Sequence, residues 1–259
     1  MRSILPEYDF ETVSSKLVGQ FPHRSHADEM LDADAQLVSS EGICAVFLRG
    51  VIPPELYRLA FWLWQPVDGL LSNRAKAVGT ASLPRSTNRN GRTSPRSGVN
   101  ERVLEVLEGR QGILGYSGKP LRQTALTIEH PEMVEGNRRL IELVDLLYRK
   151  HAPQLFAKQS AALRSAPHLR LGETAFTTIY LAKNFRTAYH RDSGNLRGVF
   201  SALMPTGKFT GGELILPRWR IGIAFRPGDL LLFDPQQIHG NLPIQGERVS
   251  AAMYCAGRL

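Results

Sequence analysis

The sequence predicts an α+β protein, with helices first and a β domain after them. Two observations carry this. Apolar residues recur at helical spacing up to about residue 166, and from Leu169 onward the period shortens to that of strands. Six β-rich runs then succeed one another at close intervals: TAFTTIYLA, GVFSALMP, GGELILP, IGIAF, DLLLFD and RVSAAMYC. Turn signals separate them, at Pro205-Thr206-Gly207, Thr210-Gly211-Gly212 and Gly228-Asp229. Short strands at such spacing indicate a sandwich or barrel.

Residues 1–40 suggest short helices, with Asp28, Glu29, Asp32 and Asp34 clustered there. Gly42–Val51 has the apolar continuity of a buried strand. Pro53-Pro54 opens a helix, where proline is tolerated in the first turn. Leu56, Leu59, Ala60 and Leu63 share one of its faces, and Phe61, Trp62 and Trp64 are expected in the core. A helix is predicted over 101–110, and a stronger one over 131–150, where Leu140, Val144 and Leu147 form a stripe. A further short helix begins after Pro153 and reaches about Ala166. The chain thus divides into an N-terminal helical and loop region (1–130) and helices leading into the β core (131–259), packed as one compact unit.

Length and composition narrow the function. At about 150 residues per domain, 259 residues make one large domain or a domain with an appendage. Hydrophobic residues at 42% and charged residues at 22% exclude wholesale disorder. A net charge of +8 favours a polyanionic partner, nucleic acid first. Cys44 and Cys255 lie far apart, which excludes a disulfide framework and points to a reduced, intracellular setting. No run approaches the ~18 apolar residues of a membrane span, and the N-terminus lacks a signal-peptide core. A monomer is expected.

Residues 71–100 differ in kind. They hold no acid and six bases, Arg74, Lys76, Arg85, Arg89, Arg92 and Arg96, among Gly, Pro, Ser, Thr and Asn. This reads as a long loop. It is either an arm that tracks phosphates or a solvated insertion, and the segment alone does not choose.

The chemistry concentrates at YHRDSGN. His190 and Asp192 are two apart, so on a strand both face one point. His239 comes after the DLLLFD run. Two histidines and a carboxylate are the ligand set of non-haem Fe(II) oxygenases, which keep coordination positions open for O2 and a bidentate co-substrate. H-x-D alone is better read as an exposed pair; the order of the later motifs gives the metal reading its weight. Arg248 and Ser250 are again two apart on a predicted strand, a guanidinium and a hydroxyl suited to gripping a carboxylate.

HxD, then His, then RxS over a β-rich half resembles the Fe(II)/2-oxoglutarate-dependent dioxygenases. That resemblance implies a double-stranded β-helix (jelly-roll) core, with N-terminal helices packed around it. It also implies Fe(II) on His190, Asp192 and His239, and 2-oxoglutarate held by Arg248 with Ser250. YRKHAPQLFAKQ, SAPHLRLG and HRDSGN, in that order, are similar to the TET/JBP group of nucleic-acid base dioxygenases. TTIYLAKNFRTAYHRDSGNL and GKFTGGELILP look like its compact members from fungi and phages. The likeness covers roughly residues 145–255. It implies that Asn195, otherwise a turn residue, contacts the target base, and that Arg170 of the APxxRLG string contacts 2-oxoglutarate.

The expected activity is oxidation of 5-methylcytosine to 5-hydroxymethylcytosine in double-stranded methylated DNA, through a flipped-out base. Formyl and carboxyl products are an open extension. Thymine hydroxylation and protein or prolyl hydroxylation are alternatives, as is a basic nucleic-acid-binding module without catalysis. Two departures bear on this. AAMYCAGRL, after the RxS pair, lacks the base-contacting histidine of TET proteins, and two cysteines cannot supply their zinc-binding region.

Overall fold

In a computed structural model, residues 1–5, 10–40, 42–67, 85–87, 93–95 and 110–259 are described. The strands are β1 (Arg2–Ile4), β2 (Glu29–Leu31), β3 (Ala35–Ser39), β4 (Gly42–Leu48), β5 (Arg85–Thr87), β6 (Thr93–Pro95), β7 (Arg110–Ser117) and β8 (Arg122–Gln123). Then come β9 (Thr178–Lys183), β10 (Ser201–Gly211), β11 (Leu214–Leu216), β12 (Ile221–Ile223), β13 (Leu230–Phe233), β14 (Gly240–Asn241) and β15 (Ile244–Tyr254). The helices are α1 (Glu11–Ser15), α2 (Pro54–Leu63), α3 (Ala125–Glu129), α4 (Glu132–Glu135), α5 (Arg138–His151) and α6 (Pro153–Ala162).

A nine-stranded sheet runs β1-β3-β4-β13-β10-β15-β9-β7-β8, and a four-stranded sheet runs β14-β11-β12-β2. The period-2 alternation of strand side chains sorts residues between the sheet's two faces. Val46 and Leu48 of β4, Leu230 and Leu232 of β13, and Val249, Ala251 and Met253 of β15 point outward. They form one core with Trp64 of the α2 C-terminus and with Leu140, Ile141, Val144 and Tyr148 of α5. The intervening Ala45, Phe47, Leu231 and Phe233 point inward, against Leu214, Leu216, Ile221 and Ile223 of the small sheet. The fold is therefore the expected α+β jelly roll, two facing sheets with helices packed outside the larger one.

Helix α5 forms because its apolar stripe fits that outer face, and its last turn carries Arg149, Lys150 and His151, which complement the helix dipole. The Tyr148 ring lies between helix and sheet, and its hydroxyl accepts the Phe200 N–H at 2.8 Å. That bond fixes the chain just before β10.

The N-terminal 40 residues depart from the helical reading. Among the described residues they hold the five-residue α1, a short 3-10 turn at Arg24–His26 and the strands β1, β2 and β3. β1 pairs with β3, β3 with β4, and β2 joins the small sheet in parallel with β12. Runs such as RSI and EML are too short to show a period. Residues 1–130 thus supply strands to both sheets. In α2, Trp64 is buried as expected, but Leu59 and Trp62 are 42% and 69% exposed. The α2 face that packs inward is Ala60 and Leu63, running on to Trp64, and the other two side chains project off it. The helix predicted to Ala166 ends at Ala162 and continues as two short 3-10 turns, the second opened by Pro167.

The helix predicted over 101–110 falls outside the described residues, except Arg110, which begins β7. Arg74, Lys76, Arg89, Arg92 and Arg96 also fall outside them. Within 71–100, where a loop is expected, β5 and β6 pair as an antiparallel ladder that includes the backbone of Arg85.

Candidate metal and co-substrate site

Between the sheets lies a cavity of about 70 Å³. Its walls carry His190, Asp192, His239, Arg248 and Ser250 together. The ligand atoms of the first three lie within 4.8 Å of one another, and all three residues are buried.

The H-x-D pair is not on a strand, contrary to the sequence expectation. His190 and His239 instead form an isolated antiparallel bridge, with reciprocal N–H···O=C bonds of 3.0 and 3.1 Å. The imidazole centroids are 4.3 Å apart. Asp192 is brought in by the chain beyond the bridge, its N–H donating to the Pro235 carbonyl at 2.9 Å. Its carboxylate oxygens lie 3.5 Å from His190 Nε2 and 3.8 Å from His239 Nε2.

The backbone sets the tautomers. His190 Nδ1 lies 2.8 Å from the Ala188 carbonyl, and His239 Nδ1 lies 2.8 Å from the Gln237 carbonyl. A carbonyl only accepts, so each Nδ1 carries the proton and donates it. Each Nε2 then presents a lone pair inward. This is the outer-shell arrangement that fixes histidine as a metal ligand. Two imidazole lone pairs and a carboxylate suit a divalent transition metal such as Fe(II).

Arg248 and Ser250 occupy the same face of β15, as the spacing predicts. Arg248 Nε donates to Ser250 Oγ at 2.7 Å and Nη1 donates to the Gly212 carbonyl at 2.5 Å. The guanidinium lies over Phe209 and Phe225, with centroid distances of 5.2 and 5.7 Å. Burial lowers its pKa to about 10, against the opposing pull of Glu213, so it stays charged at neutral pH. Gly212 is required here. Its φ is +70°, and an ideal Cβ would lie 2.2 Å from Arg248 Nη1. A buried cation beside a cavity, with donors already oriented, can bind a carboxylate.

Asn195 is buried, and its Nδ2 donates to Ser201 Oγ at 3.0 Å. Ser201 lines the cavity, whereas Asn195 stands one residue behind it. Arg170 is not brought to the cavity. The turn at Pro167–Leu169 directs it toward α6, where Nη2 donates to the Ser160 carbonyl at 3.3 Å. Asn241 receives the Thr187 N–H at 2.8 Å and so ties down the segment leading to His190. Tyr180 lines the wall, its hydroxyl donating to Gln111 Oε1. Phe185, Thr187 and Ser201 also line it and were missed, because no chemical pattern marks them in the sequence.

The family profile Tet_JBP, the oxygenase domain of the 2OGFeDO superfamily, matches residues 114–256, more than half of the chain. The chain belongs to the TET/JBP family. The superfamily's cofactors are Fe(II), 2-oxoglutarate and O2, and the donor set described above fits them. The bifunctional helicase and thymine dioxygenase JBP2 of Trypanosoma brucei brucei is 28% identical over 239 residues, covering 87% of this chain and 20% of that protein. Thymine dioxygenase JBP1 of Leishmania braziliensis is 31% identical over 144 residues, 54% of this chain and 18% of that protein. This TET/JBP chain therefore spans about a fifth of the length of the curated relatives it matches. Among solved structures, NgTET1 in complex with 5mC DNA aligns over 98% of this chain and 82% of that one, with a TM-score of 0.54 and 14% identity. Among the described residues, no helix is long and apolar enough to cross a membrane.

Proposed function

We propose that this chain is an Fe(II)/2-oxoglutarate-dependent DNA dioxygenase that hydroxylates the C5-methyl group of a flipped-out pyrimidine, 5-methylcytosine in the first reading. The observation that carries it is the meeting of His190, Asp192 and His239 with the buried Arg248–Ser250 pair on one cavity. The net change is balanced: 2-oxoglutarate, O2 and the methyl group give succinate, CO2 and the hydroxymethyl group. The bound Fe(II) supplies oxygen activation. The protein supplies position and exclusion of water.

In this reading His190, Asp192 and His239 hold the metal. Arg248 anchors the distal carboxylate of 2-oxoglutarate, with Ser250 fixing the guanidinium through Nε. The Asn195–Ser201 pair serves the base edge. Asn195 is both donor and acceptor, and Ser201 carries its hydroxyl to the cavity wall. Arg170 packs away from the wall and has no part. The cations Arg74, Lys76, Arg85, Arg89, Arg92 and Arg96 serve the DNA backbone. Thymine is the second reading. It is favoured by the names of the curated relatives.

The test is nucleoside mass spectrometry of two duplexes, one containing 5-methylcytosine and one unmethylated, each treated with protein, Fe(II) and 2-oxoglutarate. The first reading predicts 5-hydroxymethylcytosine from the methylated duplex alone. 5-Hydroxymethyluracil from both selects the second. No oxidised pyrimidine from either, in a preparation that binds Fe(II), overturns both.

A further inference from the structure

We propose that Glu11, Arg191 and Arg218 form a positioning clasp for the metal centre, so that the N-terminal segment is a working part of the site. The proposal rests on the metal reading above and is independent of which base is oxidised.

The two ligand-bearing segments, 190–192 and 235–239, lie outside regular strands and share one isolated bridge. They need support from elsewhere, and Glu11 supplies it by two routes. Arg191 stands between the ligands His190 and Asp192. Its Nη2 donates to Glu11 Oε1 and its Nη1 to the Gln236 carbonyl. Gln236 in turn donates through Nε2 to the Asp192 carbonyl at 2.9 Å. On the second route, Arg218 Nε lies 3.5 Å from Glu11 Oε2, and its Nη1 donates to Gln237 Oε1 at 3.2 Å. The Gln237 carbonyl is the acceptor that sets the His239 tautomer. One carboxylate is therefore linked to Asp192 through Arg191 and Gln236, and to His239 through Arg218 and Gln237.

An isolated pair as exposed as Glu11 and Arg191 (40% and 34%) would contribute little. Here each guanidinium also holds a group of the ligand segment itself. The rest of the N-terminal segment runs along the same surface. Gly19 N–H donates to the Tyr189 carbonyl and Tyr189 N–H to the Gln20 carbonyl, both at 2.8 Å. Tyr189 is the residue before His190. Gly240, the residue after His239, has room for no side chain, since a Cβ there would lie 2.8 Å from Pro22 Cγ. Glu11 and the arginines are positioning residues, acting on the metal through the two ligand segments.

The experiment is calorimetric titration of the full-chain apoprotein with Mn(II), which needs neither DNA nor turnover. Outer-shell partners of metal ligands typically change affinity by roughly 10–100-fold. Glu11→Gln is expected to weaken Mn(II) by about 10-fold and Arg191→Gln by up to about 100-fold, with little change in apoprotein Tm. Because the residues act as a unit, the double variant falls short of the product of the two losses. Arg191→Lys, which can make one contact but not both, lies between wild type and Arg191→Gln. Glu135→Gln, which breaks the remote exposed pair with Arg138, leaves affinity unchanged. Wild-type affinity in both Glu11→Gln and Arg191→Lys overturns the clasp, and these two decide it should Arg191→Gln fail to fold. Fully multiplicative losses also overturn it. Failure of the wild-type protein to bind Mn(II) overturns the metal reading instead.

Discussion

At one end of the cavity Arg248 and Ser250 stand on an eleven-residue strand, β15, paired on one side with β10 and on the other with β9. At the other end His190, Asp192 and His239 stand on loops joined by one bridge. The first end inherits its geometry from the sheet. Residues two apart share a face, and hydrogen bonds on both sides hold that face in register. The second end takes its geometry from individual bonds rather than a ladder: local carbonyls behind each imidazole, Asn241 behind Thr187, and Glu11 behind Arg191. A site can therefore combine an anchor built into a sheet with a metal end held by loops, and the two should fail differently.

The largest effects belong to the ligands. Asp192→Ala and His239→Ala should abolish metal binding and reduce turnover to background, measured by metal titration and succinate release. The sheet should survive in both, because the outer core does not include these residues.

Gly212→Ala should break the anchor end without touching the metal end. The new Cβ falls on Arg248 Nη1, and the backbone at φ +70° resists any side chain. A sharp rise in the KM for 2-oxoglutarate is expected with metal affinity preserved, together with a stability loss of about 1–3 kcal/mol. A variant that loses Mn(II) binding as well would show that the two ends are not separable.

Tyr148→Phe should separate the scaffold from both ends. It leaves the Phe200 N–H without its acceptor in a buried place, at a cost of about 1–3 kcal/mol. Thermal unfolding should shift down, while metal affinity stays near wild type.

The smallest effect concerns pH. His26 Nδ1 lies 3.0 Å from the Tyr189 hydroxyl, and burial, then the neighbouring His23 and Arg220, lowers its pKa below 6.5. The folded protein thus prefers the neutral ring, and the unfolded chain takes up the proton first as pH falls. The stability this preference confers is present above pH 6.5 and is lost as pH drops through and below it. His26→Gln should flatten that part of the profile of Tm against pH.

The legible part of the site was the part with short-range pattern. His190 with Asp192, and Arg248 with Ser250, are each two residues apart, and that spacing survives whether a strand or a bridge presents it. The strands from Thr178 to Tyr254 were legible as short apolar, β-rich runs set off by turn residues. What could not be read were contacts over long separations with no repeating signal. Glu11 looks like any helix-start acid until Arg191 folds onto it. β1 and β2 owe their form to the strands they join, and three residues carry no period. Arg170 sits in a motif but faces α6, because the preceding proline turn sets its direction.

The most direct test of the metal and co-substrate assignment is anaerobic titration of the apoprotein with Fe(II) and 2-oxoglutarate, monitored by the visible charge-transfer absorption of a chelated 2-oxo acid. The band should appear in wild type only when both are present, vanish in Asp192→Ala, and demand far more 2-oxoglutarate in Arg248→Ala. An undiminished band in Asp192→Ala would contradict the assignment.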